Sequence, residues 1–339
     1  MHTTLRRTVT MVAIAAGLFG STTTLTQAQP GNGNFPCAPG NSNPGNYCDA
    51  KVDQLVEVSL ADLHPTQPSL GHDEVFYKLG RYTQGKDAIN KQFDDWCEDN
   101  GQKEAASANP GARLSDPSSF SCKVALGAET PATIAKMKTA VVGPHGDLYL
   151  TDGHHSFTAY TETPGAGPNT RIRVRITGNL SDQNPAAFWQ TMQQKGWTWL
   201  RNAADQPITP QQLPTKLGLA QFGNDPYRAA LYFARDISYT QDGGPAFQEF
   251  YWGRWLRAQT DPALRPEGAN IADHAAYLQL IRNIATAMVA LDPNAVVSDG
   301  KTAAQLGKMA AFNEKEFAKL AKPFSDEKPG KLAYMLAFK

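Results

Sequence analysis

The chain has 339 residues, 41% of them hydrophobic, with 32 basic and 32 acidic side chains. That length accommodates one large domain or two modest ones. The lack of a basic excess argues against a general nucleic-acid coat protein, while a local basic groove stays open.

The first residues read as a secretory signal. Arg6 and Arg7 supply a charged start, Val9 to Phe19 is apolar apart from Thr10 and Gly17, and Thr26-Gln27-Ala28 is a small-residue cleavage site. The apolar run is short for a bilayer span; an uncleaved anchor is the other reading. With residues 1–28 removed, the expectation is a periplasmic or secreted protein without stable membrane insertion. Residues 29–51 are Gly-, Asn- and Pro-rich and read as a flexible extension. Cys37, Cys48, Cys97 and Cys122 are an even set that suits an oxidising compartment. Among three connectivities, Cys37–Cys48 with Cys97–Cys122 is preferred because each closes a local loop. A zinc site is the alternative, without a C-x-x-C pair to support it. Closing the loop from Cys97 to Cys122 contributes about 3 kcal/mol through the unfolded chain.

Folded structure is expected from Val52. Gln54 to Val58 alternates as a strand. A turn-rich exit leads to a short helix over Asp73–Leu79 and a second over Ala88–Trp96. Residues 100–120 read as a long polar loop. Pro131 suits the first turn of a helix reaching Met137. Thr139–Val142 and Leu148–Leu150 are strands about the turn Pro144-His145-Gly146-Asp147. Asp152-Gly153 then breaks the chain, and His154 opens a helix whose Phe157, Ala159 and Tyr160 are apolar. Arg171–Ile176 alternates strictly, so Arg171, Arg173 and Arg175 share one face: a solvated face, or a basic wall beside the His-His turn. From Pro185 the pattern is helical, with helices ending near Gly196 and over Pro226–Ile237 and Ala246–Ala258. The aromatics from Phe247 to Trp255 read as a core face more than as a platform for bases. Ile271–Asp292 and Thr302–Ala321 are two more helix candidates, and the tail after Lys322 reads as a docking segment.

The stretch richest in chemistry is Asp152-Gly153-His154-His155. A strand-to-helix turn aims backbone N–H groups and a positive dipole end at whatever binds there. Three chemistries fit. Asp152, His154 and His155 are metal-ligand types, with His64, His72 or His145 to complete a set, although adjacent helical histidines point about 100° apart and rarely share one ion. A histidine oriented by Asp152 suits general acid–base work. The helix start suits a phosphate, with Lys78 or the three arginines as cationic partners. Ser156 lacks a G-x-S-x-G elbow, the thiols are committed to disulfides, and neither a P-loop nor a dinucleotide fingerprint occurs.

The run from Val141 to His155 resembles the signature of the ParB-like nucleases, a branch of the ParB/sulfiredoxin superfamily. Leu63-His64-Pro65-Thr66-Gln67 is similar to that family's first box, and Glu74-Val75 with Lys78 to the segment after it. Phe188 to Met192, Asn224 to Arg228, and Phe247 to Phe250 with Trp252 and Trp255-Leu256-Arg257 resemble its C-terminal half. The resemblance spans residues 52–258. It implies an α+β fold, a small mixed sheet with helices, followed here by a mainly helical part over residues 259–339. It implies a cleft between the first box and the His-His turn, with Asp152, His154, His155 and Lys78 as catalytic residues. Gln67, Gly153, Ser156, His64 and Arg173 are the expected ligand-binding residues. Ser156 stands where many relatives carry arginine, and export removes the chain from cytoplasmic nucleotide pools. The expectation is an exported nuclease or phosphodiesterase acting on a phosphate-bearing ligand such as nucleic acid. A divalent metal ion is left open as cofactor, and no obligate protein partner is implied. The alternative is a non-catalytic binding protein for a small anion. Convergence of Lys78, Gln67 and arginines on the imidazoles in an open cleft favours a site; burial of both imidazoles with backbone partners would sink the His-His site.

Overall fold

The computed structural model describes residues 47–339. The expected signal, most of the 29–51 extension and the Cys37 end of the first disulfide lie outside the described residues. In chain order, β1 (Leu55–Ser59), β2 (Leu63–His64) and β3 (Ser69–Leu70) lead into α1 (His72–Gln84) and α2 (Lys91–Asp99). A small hairpin of β4 (Ala105–Ala108) and β5 (Phe120–Cys122) follows, then α3 (Pro131–Ile134), β6 (Thr139–Val142), β7 (Leu148–Leu150) and α4 (His154–Glu162). Next come β8 (Arg171–Asn179), α5 (Pro185–Gln194), β9 (Gly223–Asn224), α6 (Pro226–Ala234) and α7 (Gln248–Arg257). The chain ends with α8 (His274–Val289), β10 (Val296–Ser298), β11 (Lys301–Thr302), α9 (Glu314–Leu320) and α10 (Lys331–Phe338).

The fold is α+β around one small mixed sheet of order β1-β8-β6-β7-β2. β8 runs antiparallel to β1 and parallel to β6, β6 and β7 form the expected antiparallel pair with Val142 opposite Leu148, and β2 closes the sheet parallel to β7. The period-two pattern sets the faces. Ile172, Val174 and Ile176 of β8 are fully buried beside Val56 and Val58 of β1, and the arginines between them point to the other face. Against this core α4 lays Phe157, Ala159 and Tyr160, all fully buried.

A second core joins α1 and α6 to α10, from Tyr77 through Tyr232, Trp252 and Ile281 to Met335. Residues 259–339 thus share apolar packing with helices of the earlier half. The Pro- and Lys-rich tail ends in α10, which buries Leu332, Ala333, Tyr334 and Met335. It packs on α1 at Gly80, where a Cβ would sit 2.2 Å from the Tyr334 carbonyl oxygen.

Three elements differ from expectation. Residues 100–120 are not a bare loop: β4 and β5 pair, Leu114 and Phe120 are buried, and the Cys97–Cys122 disulfide closes the segment. The helix expected over 302–321 shrinks to α9, because Gly307 turns with φ +68 against the Thr240 carbonyl and Asn313 caps a fresh start. The helix from Pro131 stops at Ile134, before β6 draws the chain into the sheet.

Gly80→Ala should therefore lower stability. Helix propensity favours alanine by about 1 kcal/mol, but overpacking against a backbone carbonyl costs about 1–3 kcal/mol. A thermal melt of the variant should shift downward; an upward shift would mean that α10 yields freely.

Candidate functional site

The centre is the junction of β7 and α4. Thr151 is tied to β6, its N–H donating to Thr139 O at 2.8 Å and its hydroxyl meeting the Thr139 hydroxyl at 2.8 Å. Gly153 then takes φ +105, and a Cβ there would press on the Lys138 stem at 2.7 Å, so only glycine turns the chain here. α4 begins with no side-chain cap, which leaves its first N–H groups without intrahelical partners. α7 begins the same way. Its N-cap is Phe247 at φ +58, with no side-chain cap; a bulky residue in the left-handed region is strained, and such strain collects at functional sites.

Both helix starts line one cleft of about 520 Å³. It is lined by Gln67, Lys78, Lys138, Tyr232, Arg228 and Arg235. A buried ion lattice runs through this lining. Arg228 of α6 stands 2.9 Å from Glu74 of α1 and 3.8 Å from Glu249 of α7, and Arg235 also pairs with Glu249. Burial pushes the Glu249 carboxyl up, but Arg228 and Arg235 together outweigh it and hold the group below its ordinary value. At the rim Lys138 lies 3.6 Å from Asp99 and 3.7 Å from Asp152; Asp152 first, and Asp99 after the opposing effect of burial, raise its ammonium pKa. Lys78 lies 3.5 Å from Asp95.

The two imidazoles are placed differently from the acid–base role expected of them. Both are buried. His154 Nε2 accepts the Thr66 N–H at 3.1 Å and His155 Nε2 accepts the Gly71 N–H at 3.1 Å. Acceptance at Nε2 assigns the proton of each neutral ring to Nδ1. Burial, against a weaker pull from Asp152, brings His154 down to about 3; burial and then Arg228 lower His155 well below its ordinary value. His155 Nε2 also stands 3.5 Å from Glu74 Oε2, a contact that is no ion pair while the ring is neutral. The pair therefore pins residues 66–71 against α4.

Of the other expected residues, Gln67, Lys78, Asp152, Gly153 and Ser156 do line the cleft with the two histidines. His64 and Arg173 do not. His64 stacks on Tyr149 at 5.2 Å. Arg173 pairs with Glu129 and donates to Asn100 O at 3.3 Å, while Arg171 and Arg175 pair with Glu57 and Asp53. Arg171 and Arg173 line a separate groove with Glu57, Trp96, Asn100 and Phe120. Residue reasoning assigned no role to Glu74, Lys138, Arg228, Arg235 and Glu249. A signal existed: Arg228 and Arg235 lie seven residues apart, two turns on one helical face, in an otherwise apolar run.

Among the described residues no group of three His, Cys, Asp or Glu side chains is placed to hold a metal ion. Glu74 and Glu249 are engaged by guanidinium groups, so the donor set does not fit a resident divalent ion.

A protein-family model described as "Putative ParB-like nuclease" matches residues 56–258. No curated protein matches the chain. Among solved structures, protein Atu1540 from Agrobacterium tumefaciens is 15% identical and aligns over 70% of this chain and 93% of its own, with a TM-score of 0.45.

The buried imidazoles make stability depend on pH. His154 has a folded-state pKa of about 3 against about 6.5 unfolded, so the unfolded chain binds more protons between those values. Stability is complete above pH 6.5 and falls toward pH 3, by up to about 1.4 kcal/mol per pH unit for such a residue. Denaturant melts from pH 7 to pH 5 should show this loss, and His154→Gln, although less stable at pH 7, should flatten the slope. An unchanged slope in the variant would contradict the placement of His154.

Proposed function

The chain belongs to the ParB-like nuclease family, and on that premise we propose that the cleft binds a phosphodiester and hydrolyses it. One observation carries the reading: two helix starts without side-chain caps, at Gly153 and Phe247, line a single cleft with Arg228 and Arg235. Helix starts bind phosphate oxygens through free N–H groups and the dipole, and fixed donors of this kind stabilise charge that develops in a phosphoryl transition state. Lys78, Gln67 and Ser156 also line it.

Of the carboxylates in the cleft, Glu74 and Glu249 are buried on arginines, whereas the Asp152 side chain is 63% exposed. In this reading a water oxygen attacks phosphorus and Asp152 takes its proton. The ester P–O bond breaks, and the leaving oxygen gains a proton from solvent. Lys138 stands 3.7 Å from Asp152 and orients it by charge. His154 and His155 act as positioning residues through Thr66 and Gly71. The signal-like residues 1–28 and the Cys97–Cys122 disulfide support a site of action outside the cytoplasm.

The second reading is binding without turnover. It is favoured by the pairing of each cleft cation with a carboxylate: Lys78 with Asp95, Lys138 with Asp152, Arg228 with Glu74 and Arg235 with Glu249.

The test is to incubate the purified mature protein with single- and double-stranded DNA, with and without divalent cations. Asp152→Asn should lower kcat about a hundredfold with little change in KM, as expected for loss of a general base. Arg235→Gln should weaken substrate binding. Cleavage that ignores both substitutions contradicts the assignment; substrate binding without cleavage under every condition selects the second reading.

A further inference from the structure

A second cavity, of about 350 Å³, lies under the start of α10. It is lined by Lys319, Lys322, Lys328, Lys331 and Arg235, against the carboxylates Asp236 and Glu316. Lys319 pairs with Glu316 at 2.6 Å and Lys322 with Asp326 at 3.3 Å. Lys331 makes no ion pair among the described residues; its Nζ lies 4.7 Å from the Tyr232 ring centroid. Arg235 Nε is buried without a hydrogen-bond partner. α10 itself starts behind Gly330 with no side-chain cap. Burial, and then the nearby Arg235, bring the Lys331 ammonium down to about 8, the behaviour of a cation that lacks a counter-ion.

This cavity adjoins the cleft. Arg235 lines both, and Tyr232, which carries Lys331 over its ring, lines the cleft. Two cationic hollows that share one arginine suit a ligand with successive phosphates better than a single phosphate. The second hollow is built largely from residues 319–331, beyond the family-matched span of 56–258.

We propose that Lys331, with Lys328 and the start of α10, forms a subsite for the neighbouring phosphate of an oligonucleotide whose reacting phosphodiester occupies the cleft. The proposal rests on the phosphodiester reading of that cleft. It makes the C-terminal helices a substrate-extending part of the molecule.

The test uses the full mature chain and three probes: a fluorescent single-stranded oligonucleotide, thymidine monophosphate and thymidine diphosphate. Lys331→Gln should weaken oligonucleotide binding about tenfold and reduce its salt dependence by about one phosphate contact, as loss of one lysine–phosphate contact does. It should leave thymidine monophosphate binding unchanged. Lys331→Arg should retain affinity, and Lys328→Gln, on the exposed rim, gives the same reading if Lys331→Gln does not fold. Unchanged oligonucleotide affinity in both glutamine variants, with monophosphate still bound, overturns this proposal alone. Equal sensitivity of thymidine diphosphate and the oligonucleotide overturns the oligonucleotide assignment in favour of a diphosphate. Failure of the unaltered protein to bind even the monophosphate removes the cleft reading, and this proposal with it.

Discussion

The arrangement depends on the buried alternation Glu74–Arg228–Glu249–Arg235. Each charge comes from a different place: Glu74 from α1, Arg228 from α6, Glu249 from the first turn of α7, and Arg235 from the exit of α6. A lattice of this kind offers little net stability over apolar packing, yet losing one member strands a buried charge at about 3–5 kcal/mol. It therefore acts as a specification device. It fixes where α6 and α7 stand relative to α1, and so brings the second helix start into the same cleft as the first. Its alternating charges are nearly balanced, so the lattice adds no large net charge to the cleft.

The two histidines belong to the same logic. Their spacing on α4 sends neighbouring imidazoles toward different stretches of backbone, one to Thr66 and one to Gly71. Each satisfies a buried N–H that would otherwise be orphaned. The loop from the first sheet strands to α1 is thereby held against the helix start. This places Gln67 and Glu74 in the cleft. In this geometry the pair is a strut between α4 and residues 66–71.

Much of the sheet was legible in the residues because period-two alternation in Val56–Val58 and Ile172–Ile176 encodes a buried face directly. The turn at Gly153 was legible too, since a strand-break-helix pattern needs no tertiary knowledge. The partner of each charge was not. Arg171, Arg173 and Arg175 share a face by local rules, but Glu57, Glu129 and Asp53 reach them from elsewhere in the chain. Arg228 stands in a largely apolar helix, and its carboxylates come from α1 and α7. The helical pattern over 302–321 is interrupted for a related reason: its breaking glycine, Gly307, lies against the distant Thr240 carbonyl. Burial of His154 and His155 likewise follows from packing against Thr66, Gly71 and Phe222, whose proximity local sequence does not encode.

If one phosphate group sits between the starts of α4 and α7, a crystal structure with a hydrolysis-resistant phosphorothioate oligonucleotide will show it there. A phosphate oxygen should lie within hydrogen-bonding distance of N–H groups from the Gly153–Ser156 turn, with Arg235 alongside. A phosphate bound instead on the arginine face of β8, with the cleft between Gly153 and Phe247 filled only by water, would contradict that placement.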